Sequence, residues 1–158
     1  MSATETPNTS ERVPRGIAWA LAASAAYVGV WAMIWPHSFF TSFPGFGQAW
    51  VAPLGPYNEH LVRDVGGLYV ALLIVSVWAA VKGDRGTLRA LGLAWLAFGV
   101  PHLVFHDAHR HGFSTVEWAA SMTPLAFSAL GAAILVFPHL NRGTTSFRRN
   151  LPEKETSR

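Results

Sequence analysis

Two stretches of the sequence combine histidine with acidic and basic residues at helical spacing. Tyr57-Asn58-Glu59-His60-Leu61-Val62-Arg63-Asp64 leads into one apolar segment, and Pro101-His102-Leu103-Val104-Phe105-His106-Asp107-Ala108-His109-Arg110-His111 closes another. On a helix, at about 100° per residue, His102, His106 and His109 share a stripe with Trp95 and Gly99. His60 and Asp64 share a second stripe with Gly67, Ala71 and Trp78, with Glu59 and Arg63 alongside. If the stripes face each other, His60, Asp64, His102 and His106 converge.

Such a cluster has four uses. The i,i+4 pairs His60/Asp64 and His102/His106 offer nitrogen and oxygen ligands suited to zinc, iron or copper. The chain lacks the further histidine boxes of membrane di-iron oxygenases and the glutamate between histidines of the zincin motif. Haem ligation by two histidines would need a histidine facing His60 or His102, and the first and fourth apolar segments carry none in their interiors. A His–Asp pair can exchange protons at a proton-linked or quinone-type site. Finally, Glu59, His60, Arg63, Asp64, His102, His106, Asp107 and His109 can form a structural network of hydrogen bonds and ion pairs between two helices.

The elements that must carry these residues are set by composition. Of 158 residues, 51% are hydrophobic and only 13% charged, too few charges for an ordinary soluble domain. The apolar residues are blocked into four runs, Gly16 to Trp35, Asp64 to Val81, Leu88 to His106 and Val116 to Phe137. Each approaches the roughly 20 residues needed to cross about 30 Å of hydrocarbon. Backbone amides in lipid must be paired within the segment, so Leu- and Ala-rich runs of this kind become helices. The expected fold is all-α, an integral membrane four-helix bundle with helices at about 16–35, 58–81, 87–108 and 115–137 within a domain spanning 16–140. Residues 1–15 and 141–158, polar and without periodicity, are expected as disordered cytoplasmic tails.

Lys and Arg in short loops set orientation. Arg12, Arg15, Lys82, Arg85, Arg89, Arg142, Arg148, Arg149, Lys154 and Arg158 fall on one side, against Arg63 and Arg110 on the other. Both termini are therefore expected in the cytoplasm, and both histidine-bearing motifs at the outward end. Ala22-Ala23-Ser24-Ala25 resembles a signal-cleavage site, but the apolar run continues to Trp35, which fits an uncleaved anchor. The chain is expected in the plasma membrane as a multi-pass protein.

Smaller signals fill in the outline. Ser114 and Glu117 fit a capping box opening the fourth helix. Pro101 and Pro124 each remove a helical hydrogen bond and invite a kink. The connection through Gly83, Asp84 and Gly86 makes the second and third helices antiparallel neighbours. Phe39, Phe40, Phe43, Phe46, Trp50 and Tyr57 mark the first outward loop as one that lies on the membrane surface, with a doorway for a hydrophobic ligand as the alternative. His37 and His139, beside prolines, are expected at the surface. Small residues on every helix and the apolar loop favour association with further copies or another membrane protein.

Cysteine is absent, which removes disulfides, thiolate nucleophiles and iron–sulfur ligation. The net charge of +3 comes from membrane flanks, and nucleic acid is not an expected partner. No Ser-His-Asp triad, phosphate loop or dinucleotide fingerprint is present, and no reaction can be assigned. The residues favour a structural or accessory membrane component held by the polar network, with metal, proton or small-ligand binding at the same cluster as the alternative.

The stretches GPYNEHLVRDVGGLY and AWLAFGVPHLVFHDAHRHGF, set in four apolar segments, resemble small bacterial four-helix membrane proteins of the DoxX-like kind. The resemblance covers about residues 16–137. It implies the four-helix membrane fold and a bacterial source, and it brings no catalytic residues with it.

Overall fold

The computed structural model describes residues 9–137. The expectations for residues 1–8 and 138–158, including His139 and the basic residues from Arg142 onward, lie outside the described residues. The described chain runs α1 (Thr9–Ile34), α2 (Pro36–Ser42), β1 (Pro44–Gly45), β2 (Gln48–Ala49), a single 3-10 turn (Ala52–Leu54), α3 (Glu59–Lys82), α4 (Arg85–Ala108) and α5 (Thr115–Val136). The fold is all-α, and α1, α3, α4 and α5 are each long and apolar enough to cross a membrane.

The helix ends follow from local chemistry. Gly83 adopts φ of 71°, the left-handed conformation open to a residue without Cβ, and closes α3 by donating its N–H to the Ala79 carbonyl at 2.8 Å. Asp84 then caps α4, its Oδ1 accepting from the Thr87 amide at 2.9 Å. The Ser114–Glu117 capping box opens α5, with both reciprocal bonds made. Arg110 lies 4.0 Å over the Trp118 ring and ties the connection into α5. At its other end the sequence differs from expectation: α1 begins at Thr9, so residues 9–15 are helix. Pro14, the sixth residue of α1, lies past the first four unpartnered amides and removes one intrahelical hydrogen bond, and the helix continues through it. Pro101 and Pro124 lie within α4 and α5, which continue through them.

Helix pairing is the main correction to the sequence reading. The closest partners are α1 with α3 and α4 with α5, while α3 and α4 meet less extensively despite their short connection. Glycines explain the choice. A Cβ on Gly66 would lie 2.6 Å from the Met33 amide nitrogen, and one on Gly29 2.9 Å from the Val70 nitrogen, so α1 and α3 touch backbone to backbone. Likewise, a Cβ on Gly92 of α4 would meet the Ala132 carbonyl of α5 at 2.6 Å.

Between the pairs, Trp95 donates from Nε1 to Ser76 Oγ at 3.1 Å, and Ser76 donates to the Leu72 carbonyl at 2.6 Å. Tyr69 packs edge-on to Trp95 and Phe98. With Leu21, Leu72, Leu91 and Leu135, these residues make one core at the Gly83 end and middle of the bundle.

The connection between α1 and α3 is more ordered than a surface loop. Phe39 is buried with Ala32 and Val62, and Trp31, Phe43, Val51 and Tyr57 pack around them. Tyr27 donates its hydroxyl to the Pro44 carbonyl at 2.6 Å, pinning the small hairpin to α1. At the hairpin tip Phe46, 97% exposed, faces outward. This connection forms a roof over one end of the bundle, and the α4–α5 connection reaches it: a Cβ on Gly112 would lie 3.3 Å from Pro53.

Candidate functional site

Beneath the roof, where the two helix pairs part, lies a cavity of about 700 Å³. Its walls come from every long helix. Val28 stands on α1, Val62, Val65 and Tyr69 on α3, Trp95 and His102 on α4, and Pro124 and Leu125 on α5. Phe43, Trp50, Val51 and Leu54 close it from the roof. The volume matches pockets that enclose one small organic molecule, which span about 300–1,000 Å³.

Among the described residues no Asp, Glu, Lys or Arg side chain lines the cavity. The lining residues that carry polar atoms are His102, His106, Ser24, Tyr27, Tyr69, Ser121, Ser128, Gln48, Trp50 and Trp95. Position on α4 accounts for the histidines. Trp95, His102 and His106 fall along the helix face that Trp95, 3% exposed, turns to the core. The His102 ring stacks on Phe98 at 5.1 Å between centroids and meets His106 edge-on at 4.6 Å. Imidazole placed there is a polar group that still packs against rings.

The sequence-derived residues divide into local pairs. His60 and Asp64 form an i,i+4 pair at 3.3 Å, with side chains 83% and 60% exposed. Glu59 pairs with Arg63 at 2.8 Å, and Arg63 also donates to the Met33 carbonyl. Asp107 pairs with Arg110. His109 caps the end of α4, with Nδ1 2.8 Å from the Phe105 carbonyl and its ring stacked on Phe105 at 4.0 Å. Of the eight residues in the sequence-derived cluster, His102 and His106 alone line the cavity.

The expected convergence of His60, Asp64, His102 and His106 is therefore not made. Among the described residues no group of three or more His, Cys, Asp or Glu stands close enough to hold a metal ion. The cause is the choice of glycine on α3. Gly66 approaches α1 and turns Val62, Gly66 and Tyr69 inward, which leaves His60 and Asp64 on the opposite side of the helix.

Several lining residues were not singled out by motif. Ser121 and Ser128 sit seven positions apart on α5 with Pro124 and Leu125 between them, and this polar stripe in an apolar helix was the available signal. Trp50 reads as an interfacial aromatic of the first loop, and only the folded roof brings it to the cavity wall.

No curated protein and no solved structure matches the chain. The family model described as a domain of unknown function, DUF4345, matches residues 13–106, which reach from α1 through His106 on α4 and make up more than half of the 158 residues; the chain belongs to that family.

Proposed function

We propose that this protein is a multi-pass protein of the plasma membrane that takes one small, largely apolar molecule into the cavity between its helix pairs. The observation that carries this reading is the cavity itself: about 700 Å³, walled by apolar side chains, with His102 and His106 among its few polar groups. A binding site for an apolar ligand needs that combination, because burial supplies the affinity and a few placed polar groups fix the orientation. The roof residues Phe43, Trp50, Val51 and Leu54 cover one end of the site.

The basic residues on the Arg12, Arg15, Lys82, Arg85 and Arg89 side favour cytoplasmic termini, with the cavity and its roof at the outward end. Within that orientation, the membrane domain begins within α1, whose apolar span runs from Arg12 to Ile34, and residues 141–158 are a polar tail. The DoxX-like resemblance and the preference for Arg over Lys favour a bacterial source.

The test is extraction of protein purified in mild detergent, followed by mass spectrometry of the organic phase. Wild type should carry a defined apolar molecule above the background of bulk lipid. Ser128→Phe, which fills the cavity from α5, should lose it while keeping its thermal transition; Leu125→Trp serves as a second cavity-filling variant. Equal recovery of the same lipids from wild type and both folded variants would contradict the reading.

A further inference from the structure

The hydroxyl groups around the cavity are not all committed to the protein. Tyr27 donates to the Pro44 carbonyl at 2.6 Å, Ser121 to the Trp118 carbonyl at 2.8 Å, and Ser128 to the Leu125 carbonyl at 2.9 Å. Tyr69 differs. It is only 6% exposed, yet its hydroxyl makes no hydrogen bond with any described residue. Among the described residues, the buried side-chain polar atoms with neither a partner nor open surface are the Trp50 and Trp118 indole nitrogens. The Tyr69 hydroxyl is not one of them, so it keeps open surface, and the space that Tyr69 lines is the cavity. Native structures seldom bury a polar group without a partner, and a phenol can both donate and accept.

The histidines of α4 turn to the same space. At about 100° per residue, His102 and His106 lie about 20° to either side of the buried Trp95, while the exposed Leu93 and Val104 fall on the opposite face. Both imidazoles line the cavity, neither hydrogen-bonds to a described residue, and their nitrogens are not among the enclosed atoms. Phe98 links His102 to Tyr69: its ring meets Tyr69 edge-on at 5.3 Å and stacks on His102 at 5.1 Å. The phenol and the His102 imidazole therefore flank one aromatic ring. A neutral imidazole keeps one bare nitrogen that accepts.

We propose that the ligand is an uncharged, apolar molecule with a hydroxyl head held between Tyr69 and His102, an inference that rests on the cavity being a ligand site. The Tyr69 O–H donates to the ligand oxygen, and the ligand O–H donates to the bare nitrogen of His102. A hydroxyl is the smallest uncharged group that answers a donor and an acceptor at one point. The apolar remainder of the molecule lies against Val28, Val65 and Leu125.

Two matched pairs of probes test this on the full-length protein: a long-chain alkanol with its methyl ether, and a para-alkylphenol with its methyl ether. Both members of a pair accept a hydrogen bond, and only the hydroxyl donates one. Binding is titrated by native mass spectrometry in mild detergent. In at least one pair the hydroxyl should bind about three- to tenfold more tightly than the ether, the gain expected for one hydrogen bond. The pair with the larger gap tells an aliphatic alcohol from a phenol as the source. His102→Phe, which keeps a ring against Phe98, should close that gap. Tyr69→Phe should weaken hydroxyl and ether alike by about three- to tenfold, with the thermal transition unmoved because the phenol makes no bond inside the protein.

Equal binding within both pairs, abolished by Ser128→Phe, would overturn the head-group assignment and leave the cavity reading standing. So would a gap that His102→Phe leaves unchanged, or affinities that Tyr69→Phe leaves unchanged. Failure of every probe to bind wild type above the Ser128→Phe background would overturn both.

Discussion

Arg15 on α1 reaches the far end of α3 and donates from Nε to the Ala80 carbonyl at 2.9 Å, with a second bond from Nη2 to the Val81 carbonyl at 3.0 Å. The last carbonyls of a helix lack intrahelical donors, and a guanidinium meets both their hydrogen-bonding need and the negative end of the helix dipole. At the opposite end Arg63 of α3 donates to the Met33 carbonyl near the close of α1. The two antiparallel helices thus cap one another reciprocally, which fixes their register against sliding and holds one wall of the cavity in place.

Removing the first of these contacts should be measurable. Arg15→Met keeps much of the apolar stem and loses both bonds, and should lower stability by about 1–2 kcal/mol. Arg15→Lys should recover only part, because an ammonium cannot reproduce the two-pronged geometry. Thermal unfolding followed by tryptophan fluorescence in detergent checks both; an unchanged midpoint for Arg15→Met would show that the clamp contributes nothing.

Adjacent glycines on α3 should respond in opposite ways. Gly66→Ala places a methyl against the Met33 backbone, which cannot yield as a flexible side chain would, and should destabilise by about 1–3 kcal/mol. Gly67 has no atom within 4 Å of the site of a Cβ, so Gly67→Ala should be neutral or mildly stabilising through helix propensity. The same unfolding measurement separates the two, and equal effects would contradict the packing of α1 on α3.

This one-residue distinction explains what was legible in the sequence. The four apolar helices and the Ser114–Glu117 cap followed from hydropathy and from local chemistry, which act within a segment. The direction a helix turns depends on its partner, and moving the contact from Gly67 to Gly66 rotates the chosen face by about 100°. That rotation carries His60 and Asp64 away from the core, where they remain as an exposed pair. On α4 the chosen stripe through Trp95, His102 and His106 was the interior one, because the bulky Trp95 marks it. The cavity itself was hidden, since it depends on α1 pairing with α3 and on a roof built from residues 36–57 that share no periodic pattern.

Asp84 gives a pH dependence of defined sign. Hydrogen bonds from the Thr87 side chain and then the Thr87 backbone hold its carboxyl below its ordinary value of 3.8. A carboxylate whose folded-state pKa is depressed contributes stability that is complete above the ordinary value and is lost as pH falls through the lowered one. Thermal midpoints should therefore drop on acidification in wild type, and Asp84→Ala should lower the midpoint at neutral pH while reducing the acid-dependent part of the drop. Parallel pH profiles for the two proteins would contradict the cap's role.

The proposed orientation is open to reporter fusions. A reporter placed at Gly86 or after Arg158 should be active in the cytoplasm, and one inserted at Gly47 in the roof hairpin should be active outside. Cytoplasmic activity at Gly47 would reverse the orientation and put the cavity at the inner end.

The most direct measurement of the account's central claim is photolabelling of the full-length protein in lipid nanodiscs with an apolar, uncharged diazirine probe, mapped by peptide mass spectrometry. Lipid-facing residues such as Ile74 and Phe127, 64% and 70% exposed, provide the internal reference for contact with bulk bilayer. Ligand binding in the cavity predicts saturable labels on the segments bearing Trp50, His102 and Ser121, removed by an excess of the same compound lacking the diazirine and by Ser128→Phe, over a non-saturable background at Ile74 and Phe127. Labels confined to Ile74, Phe127 and similar outward positions, unaffected by competitor, would contradict it.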